Sequence, residues 1–174
     1  ARARIPAESP PVPEPGRRLA FEVGDAAGFA LAPGEPGFDI ALVQLVISIV
    51  GGQERRRGLL RRARGALAPG GRLLLSASGA SGDVNAQYAE LYEQDQPLTG
   101  EARTYLSRGA DGSVLYPTHH FEEEELRALL EAEGFRPLQF AAELEASSRR
   151  PDQAARFFYV VAEMVETAST EPVP

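Results

Sequence analysis

Phe38-Asp39-Ile40-Ala41-Leu42-Val43, then Gln53–Leu67, then Ala68-Pro69-Gly70-Gly71-Arg72-Leu73-Leu74-Leu75-Ser76-Ala77 form the stretch that decides the fold. The first segment is almost continuously apolar, which suits a strand covered on both faces rather than one half exposed to water. The second places Leu59, Leu60, Ala63, Ala66 and Leu67 at intervals of three and four, with Arg55, Arg56, Arg57, Arg61, Arg62 and Arg64 around the remaining surface. It reads as an amphipathic helix with a solvated arginine face. Pro69, Gly70 and Gly71 stop that helix, and residues 72–77 are again a buried strand. Strand, helix and strand in this order specify a βαβ unit and a parallel sheet.

Working upstream, Leu19-Ala20-Phe21-Glu22-Val23-Gly24 alternates in polarity as a short strand does, with Asp25 at its end. Residues 1–18 contain Pro6, Pro10, Pro11, Pro13 and Pro15, each of which fixes its backbone dihedral, and form a Pro-rich connector. Working downstream, a helix is expected from Asp83 to about Glu93, followed by a long polar stretch to Thr118 with few strong signals. Residues 79–120 therefore read as an insertion. A helix from Glu122 to Glu133 carries Leu126, Leu129 and Leu130 inward, glutamates in its first turn and Gly134 at its end. Strands are expected at Arg136–Leu144 and Arg156–Met164, and residues 165–174 form a disordered tail. The plan is one α/β domain over residues 19–164, with a mostly parallel sheet, a C-terminal antiparallel strand and helices on both faces. Ligands of such sheets sit at the carboxyl ends of the strands, which points to Asp25, Gln44 and the loop after Ser78.

Composition narrows the chemistry. The chain has 174 residues, 43% of them hydrophobic, enough for one buried core. The absence of cysteine excludes thiol nucleophiles, thiolate metal sites and disulfides; nothing in the sequence speaks for secretion, and a cytoplasmic protein is expected. A formal charge of -7 disfavours the phosphate backbone of nucleic acid as a partner. The longest apolar run, Ile40–Val50, is interrupted by Gln44 and Ser48 and falls short of the ~20 residues that span a bilayer.

Four segments in order, Phe21-Glu22-Val23-Gly24-Asp25-Ala26, Phe38-Asp39-Ile40-Ala41, Leu67-Ala68-Pro69-Gly70-Gly71-Arg72 and Glu133-Gly134-Phe135 after the glutamate-rich helix, resemble the class I S-adenosylmethionine-dependent methyltransferases. The resemblance covers roughly Leu19 to Met164. It implies a Rossmann-like methyltransferase sheet, S-adenosylmethionine as cofactor and methyl transfer to a small-molecule acceptor. By the resemblance Asp25 and Ala26 contact the adenine, and Gln44 and Leu45 leave the central strand where the cofactor lies. The family's glycine-rich loop is not in this chain, since no Gly-x-Gly occurs. The sequence thus reads as the C-terminal portion of such an enzyme, its sheet incomplete and needing a preceding segment or a second chain. The alternative is a non-catalytic, methyltransferase-like binding or partner module.

His119 and His120 are the only histidines, and a neutral imidazole suits proton transfer near neutral pH. In extended backbone they point opposite ways, so one of them at most faces a site. Tyr88, Tyr92, Tyr105 and Tyr116 offer an aromatic substrate pocket, and Arg103 and Arg108 a grip on a carboxylate or phosphate. Arg149 and Arg150 are a weaker anion-site candidate. Two histidines without further ligand spacing give no metal site. Gly79-Ala80-Ser81-Gly82 is similar to a nucleophile elbow, but its last glycine stands one position early.

Overall fold

The computed structural model describes residues 23–147 and 150–165. The Pro-rich connector, most of the Leu19–Gly24 strand, Arg149 and the tail beyond Val165 lie outside the described residues.

Among the described residues the domain has six strands and four α-helices: β1 (Phe38–Gln44), α1 (Val46–Ile49), α2 (Gln53–Ala66), β2 (Leu67–Gly79), α3 (Ala86–Thr99), β3 (Thr104–Arg108), β4 (Val114–His119), α4 (Glu123–Ala132), β5 (Phe135–Ser147) and β6 (Arg150–Met164). The main sheet has the order β1-β2-β6-β5. β1 and β2 are parallel, and β6 is antiparallel to both β2 and β5. Three strands therefore run one way, and only the last, β6, runs against them, as the sequence plan requires.

Residues 68–71 loop out at the start of β2. Phe38 pairs with Leu67 and Ile40 with Arg72, so the Pro-Gly-Gly turn is accommodated as an irregularity between two registered pairs. Gly71 must be glycine there. A Cβ would lie 2.8 Å from the carbonyl oxygen of Ala68 and 3.0 Å from that of Phe38.

The rows Ala41–Leu73–Ala162 and Val43–Leu75–Val160 face one side of the sheet. They meet Ile47 of α1, Leu59 and Leu60 of α2, and Leu126, Leu129 and Leu130 of α4 in one core that also holds Phe121 and Phe135. The row Leu42–Leu74–Val161 faces the other way, and Leu42 is 67% exposed. Helices were expected on both faces; among the described residues they share a core with one. Both crossovers, through α2 and through α4, advance across the sheet in the same direction, and right-handed crossovers then put their helices on the same side.

The segment 79–120 is more ordered than its polarity suggests. Asn85 caps α3 by accepting the Gln87 N–H at 3.1 Å, and the helix runs on to Thr99 with Pro97 in its last turn. β3 and β4 form an antiparallel hairpin around Asp111-Gly112, with Asp111 accepting the N–H and hydroxyl of Ser113. A parallel bridge between Gly79 and Phe121 fastens the end of this segment to the end of β2.

Candidate active site

A cavity of about 250 Å³ opens at the carboxyl ends of the parallel strands. Gln44, Leu45 and Ser78 come from the ends of β1 and β2, and Ser147 from the end of β5. Tyr88, Tyr105, Tyr116, Thr118 and His120 are contributed by α3 and the hairpin. The sheet thus supplies one wall and the insertion the other. Leu45 and Arg103 are the non-glycine residues with positive φ among the described residues, at 57° and 54°. Both serve this place. Leu45 turns the chain off β1, its N–H bonding the carbonyl and hydroxyl oxygens of Ser76, and the carbonyl of Arg103 accepts the His120 N–H at 3.0 Å. Left-handed backbone at such residues is held only where neighbours fix it.

The two histidines do point apart. His119 is held outside the cavity, its Nδ1 2.7 Å from the Thr104 hydroxyl and its Nε2 2.9 Å from the Glu125 carboxylate. His120 is 3% exposed and enclosed by the rings of Tyr88, Tyr105 and Tyr92 at 4.8, 5.4 and 5.6 Å. Its Nδ1 lies 2.6 Å from the Tyr92 hydroxyl. Burial foremost, and then the neighbouring His119, lowers the His120 pKa to about 3, so the ring is neutral at pH 7. Burial drives the Tyr92 phenol well above its ordinary value, and the Ser81 N–H points at its oxygen at 3.4 Å. The phenol therefore keeps its proton, and with the Ser81 N–H already aimed at its oxygen it is placed to donate that proton to Nδ1, an arrangement that puts the hydrogen of His120 on Nε2. A side-chain base at His120 is thereby disfavoured. The ring presents an N–H, and its proton affinity is low.

Arg103 and Arg108 do not line this cavity. Arg108 donates to both oxygens of the fully buried Asp95, at 2.7 and 2.9 Å, and Arg103 pairs with Glu125 at 2.9 Å and Glu122 at 3.5 Å. Each guanidinium is engaged by a carboxylate of this chain, and Arg108 lines a neighbouring depression with Tyr88 and Tyr105. Asp25 and Ala26 sit at a separate depression with Val23 and Phe29, Ala26 opening a short 3-10 turn (Ala26–Gly28) that lies against α2 and Asp25 just preceding it. Tyr92 backs His120 from behind. The Ser81 hydroxyl is buried, donating to the Gly79 carbonyl at 2.7 Å and accepting the Arg156 N–H at 2.9 Å, a structural role. Among the described residues no cluster of three metal-ligating side chains occurs, and no helix is long and apolar enough to cross a membrane.

Sequence reasoning missed Arg56. Assigned to the solvated face of α2, it is 2% exposed and donates to both oxygens of Glu101 and to the Val50 carbonyl. The signal that would have marked it is its place on the apolar arc, three residues before Leu59 and four before Leu60.

These titrations set the acid stability. His120 has a folded pKa below its usual 6.5, so the stability it contributes is present above pH 6.5 and is lost as pH falls toward 3. Burial works to raise the Glu125 pKa, but hydrogen bonds from His119 and Arg103 outweigh it and hold the group at about 2, so its share is lost between pH 4.5 and 2. Urea midpoints are expected to be level above pH 7 and to fall steadily from pH 6.5. His120→Gln should remove the fall between 6.5 and 4.5, and an unchanged slope there would refute this assignment.

No family model matches the sequence, and no curated protein matches it. Solved structures do. A SAM-dependent methyltransferase from Methanosarcina mazei is 25% identical, with a TM-score of 0.77 over 91% of this chain and 74% of that one. The 1,6-didemethyltoxoflavin-N1-methyltransferase of Burkholderia thailandensis, solved with 1,6-didemethyltoxoflavin and S-adenosylhomocysteine, is 20% identical, with a TM-score of 0.56 over 87% of this chain and 53% of that one. A SAM-dependent methyltransferase from Clostridium acetobutylicum is 10% identical, with a TM-score of 0.54 over 87% of this chain and 67% of that one. With the strand order, the single antiparallel strand and a cavity at the strand ends, these likenesses show that the chain has the fold of the class I S-adenosylmethionine-dependent methyltransferases.

Proposed function

We propose that this chain forms the acceptor-side portion of an enzyme that methylates a small molecule with S-adenosylmethionine. One observation carries the reading: the cavity lies at the carboxyl ends of β1 and β2, with Gln44 and Leu45 on the sheet side and an aromatic wall opposite. Gln44 and Leu45 would hold the cofactor there, and when bound it supplies an electrophilic methyl group on a sulfonium. In this reading Asp25 and Ala26 contact the adenine, although in this structure they line a depression separate from the cavity. The insertion side binds and orients the acceptor and excludes water from it, and orientation and desolvation supply much of the rate of an in-line displacement.

The sheet in this reading is completed at β1 by preceding strands of the same chain or by a second chain. Among the described residues β1 is an edge strand of the sheet, with apolar Ile40 and Leu42 57% and 67% exposed on its open face, and an apolar strand left at an edge invites further pairing. The protein works in the cytoplasm, where the cofactor is made and thiol-free chains carry no handicap.

Calorimetric titration of the chain with S-adenosylhomocysteine tests the proposal. Saturable 1:1 binding is expected, weakened about tenfold by Gln44→Ala, the loss of one good hydrogen bond in a desolvated site. A folded chain that binds no S-adenosylhomocysteine would instead be a methyltransferase-like partner module.

A further inference from the structure

The polar groups around the cavity are nearly all spoken for by one another. The Ser107 and Thr118 hydroxyls pair at 2.7 Å, and the Tyr88 hydroxyl meets the Ser147 hydroxyl at 3.1 Å. Arg156 is the one charged side chain in the lining among the described residues. It is neutralised by Asp83, at 2.7 and 3.1 Å, and by the Ala80 carbonyl. On the acceptor side, between the Tyr88, Tyr105 and His120 walls, the protein thus offers a charged acceptor no uncommitted counter-ion of its own, and desolvating a charge without one is costly.

Against this background His120 stands apart. Its Nδ1 is occupied by Tyr92, while Nε2 has no hydrogen-bond partner among the described residues, although the ring is nearly buried and lines the cavity. The walls on either side of it are the flat faces and edges of Tyr88 and Tyr105, whose rings lie 5.9 Å apart and are tilted by 45°. Such walls favour a flat ring that stacks on one and meets the edge of the other.

We propose that the acceptor is a neutral, planar aromatic or heteroaromatic compound whose carbonyl oxygen or pyridine-type nitrogen accepts a hydrogen bond from Nε2–H of His120. This rests on the cavity being the acceptor side of the site proposed above, and makes His120 a substrate-orienting donor rather than the base that abstracts a proton. Tyr92 is a positioning residue. It fixes the tautomer from behind without touching the guest.

The test uses three bicyclic probes on the whole chain: coumarin, which carries a carbonyl; naphthalene, which has the shape without an acceptor; and coumarin-3-carboxylate, which adds a charge. Binding is followed by nitrogen-resolved NMR of the histidine rings. Coumarin should bind saturably and shift the Nε2–H resonance of His120, and the free ring should already show the Nε2–H tautomer. His120→Phe should weaken coumarin about tenfold while leaving naphthalene within about twofold, the signature of one lost hydrogen bond. Coumarin-3-carboxylate should bind at least tenfold more weakly than coumarin. Equal binding of the carboxylate, an Nδ1–H tautomer in the free ring, or coumarin affinity indifferent to His120→Phe would each overturn the proposal. Should that variant fail to fold, the tautomer and the carboxylate comparison decide on the unaltered chain, and Tyr92→Phe should move the tautomer balance while the fold persists. Coumarin binding without S-adenosylhomocysteine binding would sink the enzymatic reading and leave His120 as the donor of a binding site for flat neutral ligands, and S-adenosylhomocysteine binding without coumarin binding would overturn this proposal and keep the enzymatic reading.

Discussion

Replacing Phe121 by alanine is expected to lower folding stability by about 4 kcal/mol, the upper range for truncating a fully enclosed aromatic side chain. Phe121 has no exposed surface, and its ring touches His119 edge-on at 4.5 Å and lies under the Arg56 guanidinium at 5.7 Å. Its backbone matters as much. The Phe121 N–H donates to the Ser78 carbonyl and its own carbonyl accepts the Ala80 N–H, so this residue ties the end of β4 to the end of β2. His120 is the next residue back. Loss of the ring leaves a cavity beneath that joint, and the imidazole should lose its fixed place between Tyr88 and Tyr105. Urea unfolding gives the first effect, and broadening of the His120 ring resonances in the folded variant the second. A destabilisation under 1 kcal/mol would show that the joint is held by its backbone bonds alone.

The parts of this fold that sequence alone makes legible are those where one physical signal dominates. β1, β2 and α4 declare themselves by apolar runs or by a helical stripe ended by glycine, and their order carries the resemblance that the solved structures bear out. The strand turn at Pro69-Gly70-Gly71 is legible for the same reason, because few residues can take that path. The β3–β4 hairpin is obscured by polarity. Thr104, Ser107 and Thr118 are buried, but their hydroxyls are satisfied by each other and by His119, and a polar residue with an internal partner looks in sequence like one facing water. The Asp111-Gly112 turn was the available clue.

The site divides along the same line. That His119 and His120 face opposite ways follows from strand geometry, and which of them enters the cavity does not. That depends on Glu125 arriving from α4 to claim His119, a meeting of residues six apart around a helix start. The arginines show the limit most clearly. Arg103 and Arg108 suit an anion by residue type, but Asp95 and Glu125 reach them first, and a carboxylate from another turn of the chain has no periodicity that would announce it.

Glu101→Ala should cost about 3 kcal/mol, because it strands the Arg56 charge in the protein rather than returning it to water. The Arg56 side chain is 3% exposed and Glu101 25% exposed, and the two meet in a fork at 2.9 and 3.2 Å. Glu101 also accepts the Gln53 N–H at 3.1 Å, capping the start of α2 from the end of the α3 segment. Burial alone would raise the Glu101 pKa, yet the bonds from Arg56 and the nearby His119 hold it below its ordinary value, so the pair is ionic at neutral pH. Removing only the arginine, as Arg56→Met, should cost somewhat less, since Glu101 can recover water through its exposed edge. The double variant Arg56→Met with Glu101→Leu should then be more stable than Glu101→Ala by about 2 kcal/mol, because an apolar pair of similar volume neither strands a charge nor leaves a void. Urea denaturation of these proteins, with Glu101→Leu as the matching single variant, closes the cycle. Strict additivity would mean that the two charges do not depend on each other, and that the insertion is held on α2 by its apolar contacts alone.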